Sequence, residues 1–160
     1  MTFSAATTRR WSDQGSPVTL IAGDGGLTTL KKLGHGANKL GGYQSNLDVG
    51  THYQYGVFEL LCRGSAAFTA GGVVKLWLLP NLSDSSQNAE DGSDSITPAR
   101  APDFLFYLRA VVTAQRLFVP HVLLLPGVWR PLIRNEGGQA FTNTNNENVL
   151  SFRPYNEVHA

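Results

Sequence analysis

Apolar and polar residues alternate with a period of two through much of this chain, the spacing that sends successive side chains to opposite faces of a strand. Residues 54 to 63, Gln-Tyr-Gly-Val-Phe-Glu-Leu-Leu-Cys-Arg, place Val57, Leu61 and Arg63 on one side and Phe58, Leu60 and Cys62 on the other. Residues 73 to 79, Val-Val-Lys-Leu-Trp-Leu-Leu, behave alike. Both segments are mostly apolar on each side and are bounded by glycine, which predicts central strands covered on two faces. Further strands are predicted at Val18 to Ala22, Phe104 to Val112, Leu117 to Leu125 interrupted by Pro120, Trp129 to Asn135, Gln139 to Thr142 and Val149 to Arg153. Helix signals are scarce. The best stretch, Leu105 to Leu117, carries Val111-Val112-Thr113 in its middle, and β-branched residues lose rotamer freedom in a helix but pack well in a sheet. It is read as strand and turn.

About eight short strands separated by glycine and proline predict an all-β fold, an antiparallel β-sandwich of jelly-roll or Greek-key type. Its expected core includes Phe58, Leu60, Leu76, Leu78, Phe106, Leu124, Ile133 and Phe152. Residues 1 to 17 are polar around Phe3 and Trp11 and read as an N-terminal arm, leaving 18 to 160 as a single sandwich domain. Residues 23 to 50 are glycine-dense and fit long loops or weak edge strands. Residues 81 to 102 form a long acidic loop between two strands, too polar to enter a core. The polar run 142 to 148, Thr-Asn-Thr-Asn-Asn-Glu-Asn, stands between two predicted strands, and asparagine tolerates positive φ, so the run reads as a hairpin connection.

Length and charge narrow the classes. A chain of 160 residues is most simply one domain and needs no covalent staple. The one cysteine, Cys62, forms no disulfide within the chain, and a reducing cytosol suits it. A net charge of +1 gives no broad electrostatic footprint for nucleic acid or for an anionic membrane. No basic region leads into an apolar stretch near the start, and the longest apolar runs fall far short of the ~20 residues that span a bilayer. A soluble protein is expected.

The motifs that would carry chemistry are incomplete. Gly36-Ala37-Asn38-Lys39-Leu40-Gly41 has the spacing of a phosphate-cradling loop, but Gly42 stands where that loop needs its lysine. Aligning Gly92 with the turn glycine of an EF-hand puts Gln87 and Ala89 at ligand positions, so the acidic loop does not match that calcium pattern. Cys62 falls inside a strand and reads as a buried structural residue. His35, His52, His121 and His159 lack the spacing of a zinc site on one element, and no Gly-x-Ser-x-Gly elbow is present. No catalytic, metal or cofactor-binding residue is therefore assigned, and no enzyme is expected. Trp77 and Trp129 read as core or sheet residues. Arg9, Arg10 and Trp11 differ, because an aromatic anchor beside two fork-shaped donors on a polar arm has the composition of a contact, either with another protein or by docking back onto the sandwich, and contact with a neighbouring subunit or capsid is the expectation. Asp84, Glu90, Asp91 and Asp94 of the acidic loop are the other candidates for contact, with a basic patch as partner.

The C-terminal half carries a resemblance. The run Leu123-Leu124-Leu125-Pro126-Gly127-Val128-Trp129-Arg130-Pro131-Leu132-Ile133-Arg134-Asn135-Glu136-Gly137-Gly138-Gln139-Ala140-Phe141, closing in Leu150-Ser151-Phe152-Arg153-Pro154-Tyr155-Asn156-Glu157, resembles small virion proteins of tailed bacteriophages. These are capsid cement or decoration proteins with a jelly-roll fold. The likeness covers residues 103 to 157 and, more weakly, 53 to 80; it lies in strand and turn residues. It implies a structural protein on the outer surface of an icosahedral head, made in the host cytoplasm, bound to the major capsid protein and to itself as dimer or trimer. The alternative function for such a sandwich is a carbohydrate-binding module of a phage tail or fibre, since related architectures carry lectin sites on their loops.

Overall fold

The described residues form ten strands: β1 (Arg9–Ser12), β2 (Val18–Ile21), β3 (Asn38–Leu40), β4 (Gln44–Ser45), β5 (Tyr55–Cys62), β6 (Val73–Asn81), β7 (Phe104–Tyr107), β8 (Gln115–Leu123), β9 (Val128–Glu136) and β10 (Val149–His159). They come from a computed structural model that describes residues 9–12, 16–22, 29–45, 53–81, 93–125 and 127–159. Among the described residues there is no α-helix.

The strands pair antiparallel in two sheets. Sheet I runs β1-β10-β5-β8 with β2 also on β10, and sheet II runs β3-β9-β6-β7 with β4 also on β9. Counting β1 with β2 and β3 with β4 as one position each leaves eight positions that pair first with last, second with seventh, third with sixth and fourth with fifth. That order is a long antiparallel hairpin wound into a two-sheet sandwich, the jelly roll. The predicted all-β sandwich is therefore the fold, and the two segments read as central strands, β5 and β6, are each interior to a sheet.

Alternation explains which faces close. In β5 burial alternates residue by residue, with Gly56, Phe58, Leu60 and Cys62 turned inward. All eight expected core residues are buried. Phe58 stands at their centre, its ring 5.5 Å from Phe152, 6.1 Å from Trp129 and 6.2 Å from Phe104. Alternation fails in the middle of β6 and β9, where consecutive residues Leu76 to Leu79 and Pro131 to Ile133 are all buried. The outer face of sheet II is covered there as well as the inner one.

Several expectations change. The strand expected over Phe104 to Val112 ends at Tyr107. Beyond it Leu108 donates its N–H to Gly72 O, and the side chain of buried Gln115 bonds both the N–H and the C=O of Arg109 at 2.8 Å, so the chain turns and crosses to sheet I. The strand expected at Gln139 to Thr142 is only a bridge between Phe141 and Gly64. Gly138 sits at φ +79°, and a Cβ there would lie 1.9 Å from Thr69 Oγ1, so the chain bends where an extended strand was expected. The run 142 to 148 consequently joins β9 of one sheet to β10 of the other and is not a hairpin connection, although it does turn, with Asn146 at φ 60°. β8 continues through Pro120 because it is an edge strand with a register shift opposite Gly56 and Phe58, where a proline costs no ladder bond.

Candidate functional site

Three surfaces could meet a ligand or partner: the outer face of sheet I, the outer face of sheet II, and the side bounded by β7 and β8. On sheet I, Tyr55, His121 and Tyr155 come from three adjacent strands. His121, held at φ 56° beside the β8 irregularity, stacks on Tyr55 at 4.4 Å between ring centroids, and its Nδ1 lies 3.0 Å from the Tyr155 hydroxyl. Next to this ladder is a shallow depression of about 330 Å³ lined by Pro17, Val57, Glu59, Phe118, Ser151 and Arg153. Glu59 is engaged in an ion pair with Arg116 across β5 and β8.

On sheet II the outer face is roofed by the segment 93–103. Beneath it Trp77, Leu79 and Leu132 form a second apolar cluster with Leu40 against it. Trp77 Nε1 donates to Arg100 O at 3.2 Å, Arg100 Nη2 donates to Leu78 O at 3.0 Å, and Asp103 Oδ2 accepts the Leu78 N–H at 2.7 Å. At the other end Asn38 Nδ2 donates to Thr97 Oγ1 at 3.0 Å and Arg134 Nη1 donates to the same oxygen at 2.8 Å. Polar residues make this roof, yet it buries a tryptophan. The polar composition satisfies backbone groups of the sheet, which is what any segment lying over strand edges must do.

The residues singled out from sequence separate accordingly. Asp94 accepts from Lys39 Nζ at 2.6 Å and from the Leu40 N–H at 2.6 Å, so its carboxylate fastens the roof to β3. Asp84, Glu90 and Asp91 lie outside the described residues. Arg9, Arg10 and Trp11 belong to β1, where their backbones pair with His159, Val158 and Glu157. Part of the expected arm is thus an added strand beside the last residues of β10. Trp77 and Trp129 are buried, so neither offers an aromatic platform to a sugar. Cys62 is fully buried, and desolvation pushes its thiol up to about 12, which keeps it protonated and non-nucleophilic at neutral pH. His35 accepts the Gly138 N–H at Nδ1, 3.1 Å away, and so serves the β9–β10 connection. Among the described residues no group of three or more His, Cys, Asp or Glu is placed to hold a metal ion.

The polar stretch after β9 is occupied by its own bonds. Asn135, with no exposed surface, donates to Leu33 O and Gln139 O and accepts the Gly137 N–H, all within 2.9 Å. Asn148 likewise accepts the Arg63 N–H and donates to Thr142 O, while Glu147 pairs with Arg63 at 2.8 Å. These asparagines close a sheet-to-sheet crossing. Their spacing in sequence carries no periodic signal, which is why their roles were not legible there.

Glu136 offers a pH test of sheet II. Its carboxylate is held below the usual 4.5, first by the hydrogen bond from Lys75 and then by Arg134, with partial burial opposing. Lys75 Nζ and Arg134 Nε stand 2.7 and 3.0 Å from its two oxygens. A depressed folded-state value means the contribution is present above pH 4.5 and is lost as pH falls through the lower folded value. Glu136→Gln is expected to flatten the acid side of the stability–pH curve and to leave its shape above pH 6 to 7 unchanged. Denaturant midpoints measured from acid to neutral pH check this; parallel curves for the two proteins would show that the pair does not stabilise the fold.

Comparison of the chain with protein-family models, with curated proteins and with solved structures found no match. The class that the fold defines is a jelly-roll sandwich.

Proposed function

We propose that this chain is a structural virion protein that decorates and cements the outside of an icosahedral phage head, binding the major capsid protein. The observation that carries the reading is the strand order of the sandwich, an architecture used by viral capsid proteins. The segment that resembles decoration proteins, residues 103 to 157, supplies β7, β8, β9 and most of β10, and of these β9 and β10 are interior to their sheets. A rigid body of this kind, repeated on a symmetric shell, turns individually weak contacts into firm attachment. β1 lies at the margin of sheet I, paired to residues 156 to 159 beyond the stretch of β10 that β5 and β2 grip. Its Arg9, Arg10 and Trp11 are residue types that dominate binding hot spots.

The test mixes the protein with phage shells that lack it and measures bound copies and the temperature at which shells break. Intact protein is expected to bind saturably and raise that temperature. A variant lacking residues 1 to 12 is expected to bind fewer copies while its own thermal midpoint falls by only a few degrees, since the main body of β10 keeps its partners. Failure of intact protein to bind any shell sinks the reading, and equal occupancy by the two proteins removes β1 from the contact.

A further inference from the structure

We propose that the outer face of sheet I carries a binding site for a neutral saccharide, centred on the depression over Val57 and lined by Phe118, Glu59 and Ser151. This site is independent of the virion role, and it is tested on the free protein without shells.

Strand geometry singles out the spot. Gly56 pairs with Val122 and Phe58 with Val119, so Val57 of β5 stands opposite two residues of β8, Pro120 and His121. A bulge of this kind re-aims a side chain, and bulges are over-represented next to functional sites. Here it holds His121 at φ 56°, a left-handed conformation that is costly for a residue with a side chain, and stacks the ring on Tyr55 at 4.4 Å. Val57 also lines the depression of about 330 Å³. The distortion and the hollow therefore coincide.

The lining combines two chemistries in fixed register. Phe118, Glu59 and Ser151 are partners across β8, β5 and β10, which sets a ring, a carboxylate and a hydroxyl in one row. The Phe118 ring is 55% exposed and offers an apolar surface to the C–H face of a sugar ring. Glu59 is held in place by Arg116 through Oε1. A carboxylate accepts about four hydrogen bonds in all, so the pair fixes its position and leaves it capacity for hydroxyl donors.

Other occupants match this surface less well. An extended peptide binds by joining an open strand edge, whereas the depression lies over β5 and β10, each flanked by a strand on both sides. A nucleic acid or acidic polymer needs an excess of cations, and the charges lining the depression, Glu59 and Arg153, are one of each sign. The volume is near the lower end of ligand pockets, ~300 Å³, which suits a small ring with one apolar face and a rim of hydroxyls.

The experiment titrates isotope-labelled protein with neutral trisaccharides of glucose, galactose, mannose and N-acetylglucosamine and follows amide shifts by NMR. At least one probe is expected to bind with a Kd of about 1 mM or tighter, with the largest shifts at Val57, Glu59 and Ser151. Phe118→Ala and the isosteric Glu59→Gln are each expected to weaken that binding about tenfold. Tyr107→Ser, an exposed aromatic on sheet II, is expected to leave it unchanged. Thermal midpoints establish that the variants are folded, and Glu59→Gln carries the comparison should Phe118→Ala not fold. Absence of binding by all four probes, shifts centred elsewhere, or folded Phe118 and Glu59 variants that bind as wild type does would overturn the proposal.

Discussion

Replacing Phe58 with alanine is expected to lower the stability of the protein by about 3–5 kcal/mol, corresponding to a thermal midpoint lower by roughly 6–20 °C. Phe58 is fully buried and its ring meets Phe104 from sheet II, Phe152 from β10 and Trp129 from β9. Truncation removes the contacts of both sheets at once, and rings of this size, fixed by strands on either side, do not close the space by small shifts. Phe118→Ala is the contrasting case. Its ring is mostly exposed on an edge strand, so the cost there is about 0.5 kcal/mol. Urea unfolding of the three proteins measures both. Similar losses for the two variants would mean that the two sheets do not share one core around Phe58.

Asn135→Leu is expected to cost about 2–5 kcal/mol by a different route, since the volume is nearly kept and the loss is polar. Gly137 N–H and Gln139 O have the Asn135 side chain as their partner, and both groups belong to a segment that closes against the sandwich. Leaving one donor and one acceptor unpaired in such a place costs ~1–3 kcal/mol each. Amide hydrogen exchange at Gly137 is expected to rise by orders of magnitude, because its protecting acceptor is removed. A leucine variant with unchanged urea midpoint and unchanged Gly137 exchange would show that the connection is held by other contacts.

Much of the sandwich was legible because its strands obey simple periodicity. β5 alternates as a strand with one face in the core must, and β6 carries apolar residues on both sides because a roof covers its outer face. The ends of strands were less legible. Val111 and Val112 have strand propensity, but a glutamine six positions after Arg109 takes up the backbone bonds of that residue. β3 and β4, three and two residues long, are too short for a periodic signal and exist through pairing with β9. The surface was the least legible part. Asp94 was singled out for its charge, and that charge is spent on Lys39 and the Leu40 amide, a contact across 54 residues that sequence spacing cannot reveal.

The position of β10 has a consequence for how the molecule is made. β10 lies between β5 and β2, with Phe152 opposite Phe58 on one flank and Val18 on the other. During synthesis β2 and β5 emerge long before the strand that separates them, so sheet I stays open along both of those edges until residues 149 to 155 leave the ribosome. Contacts of such sequence separation form slowly, because the loop between them must be closed before any bond rewards it. Sheet I is therefore completed after translation of β10, and until then the nascent chain carries two adhesive strand margins that a crowded cell must keep apart.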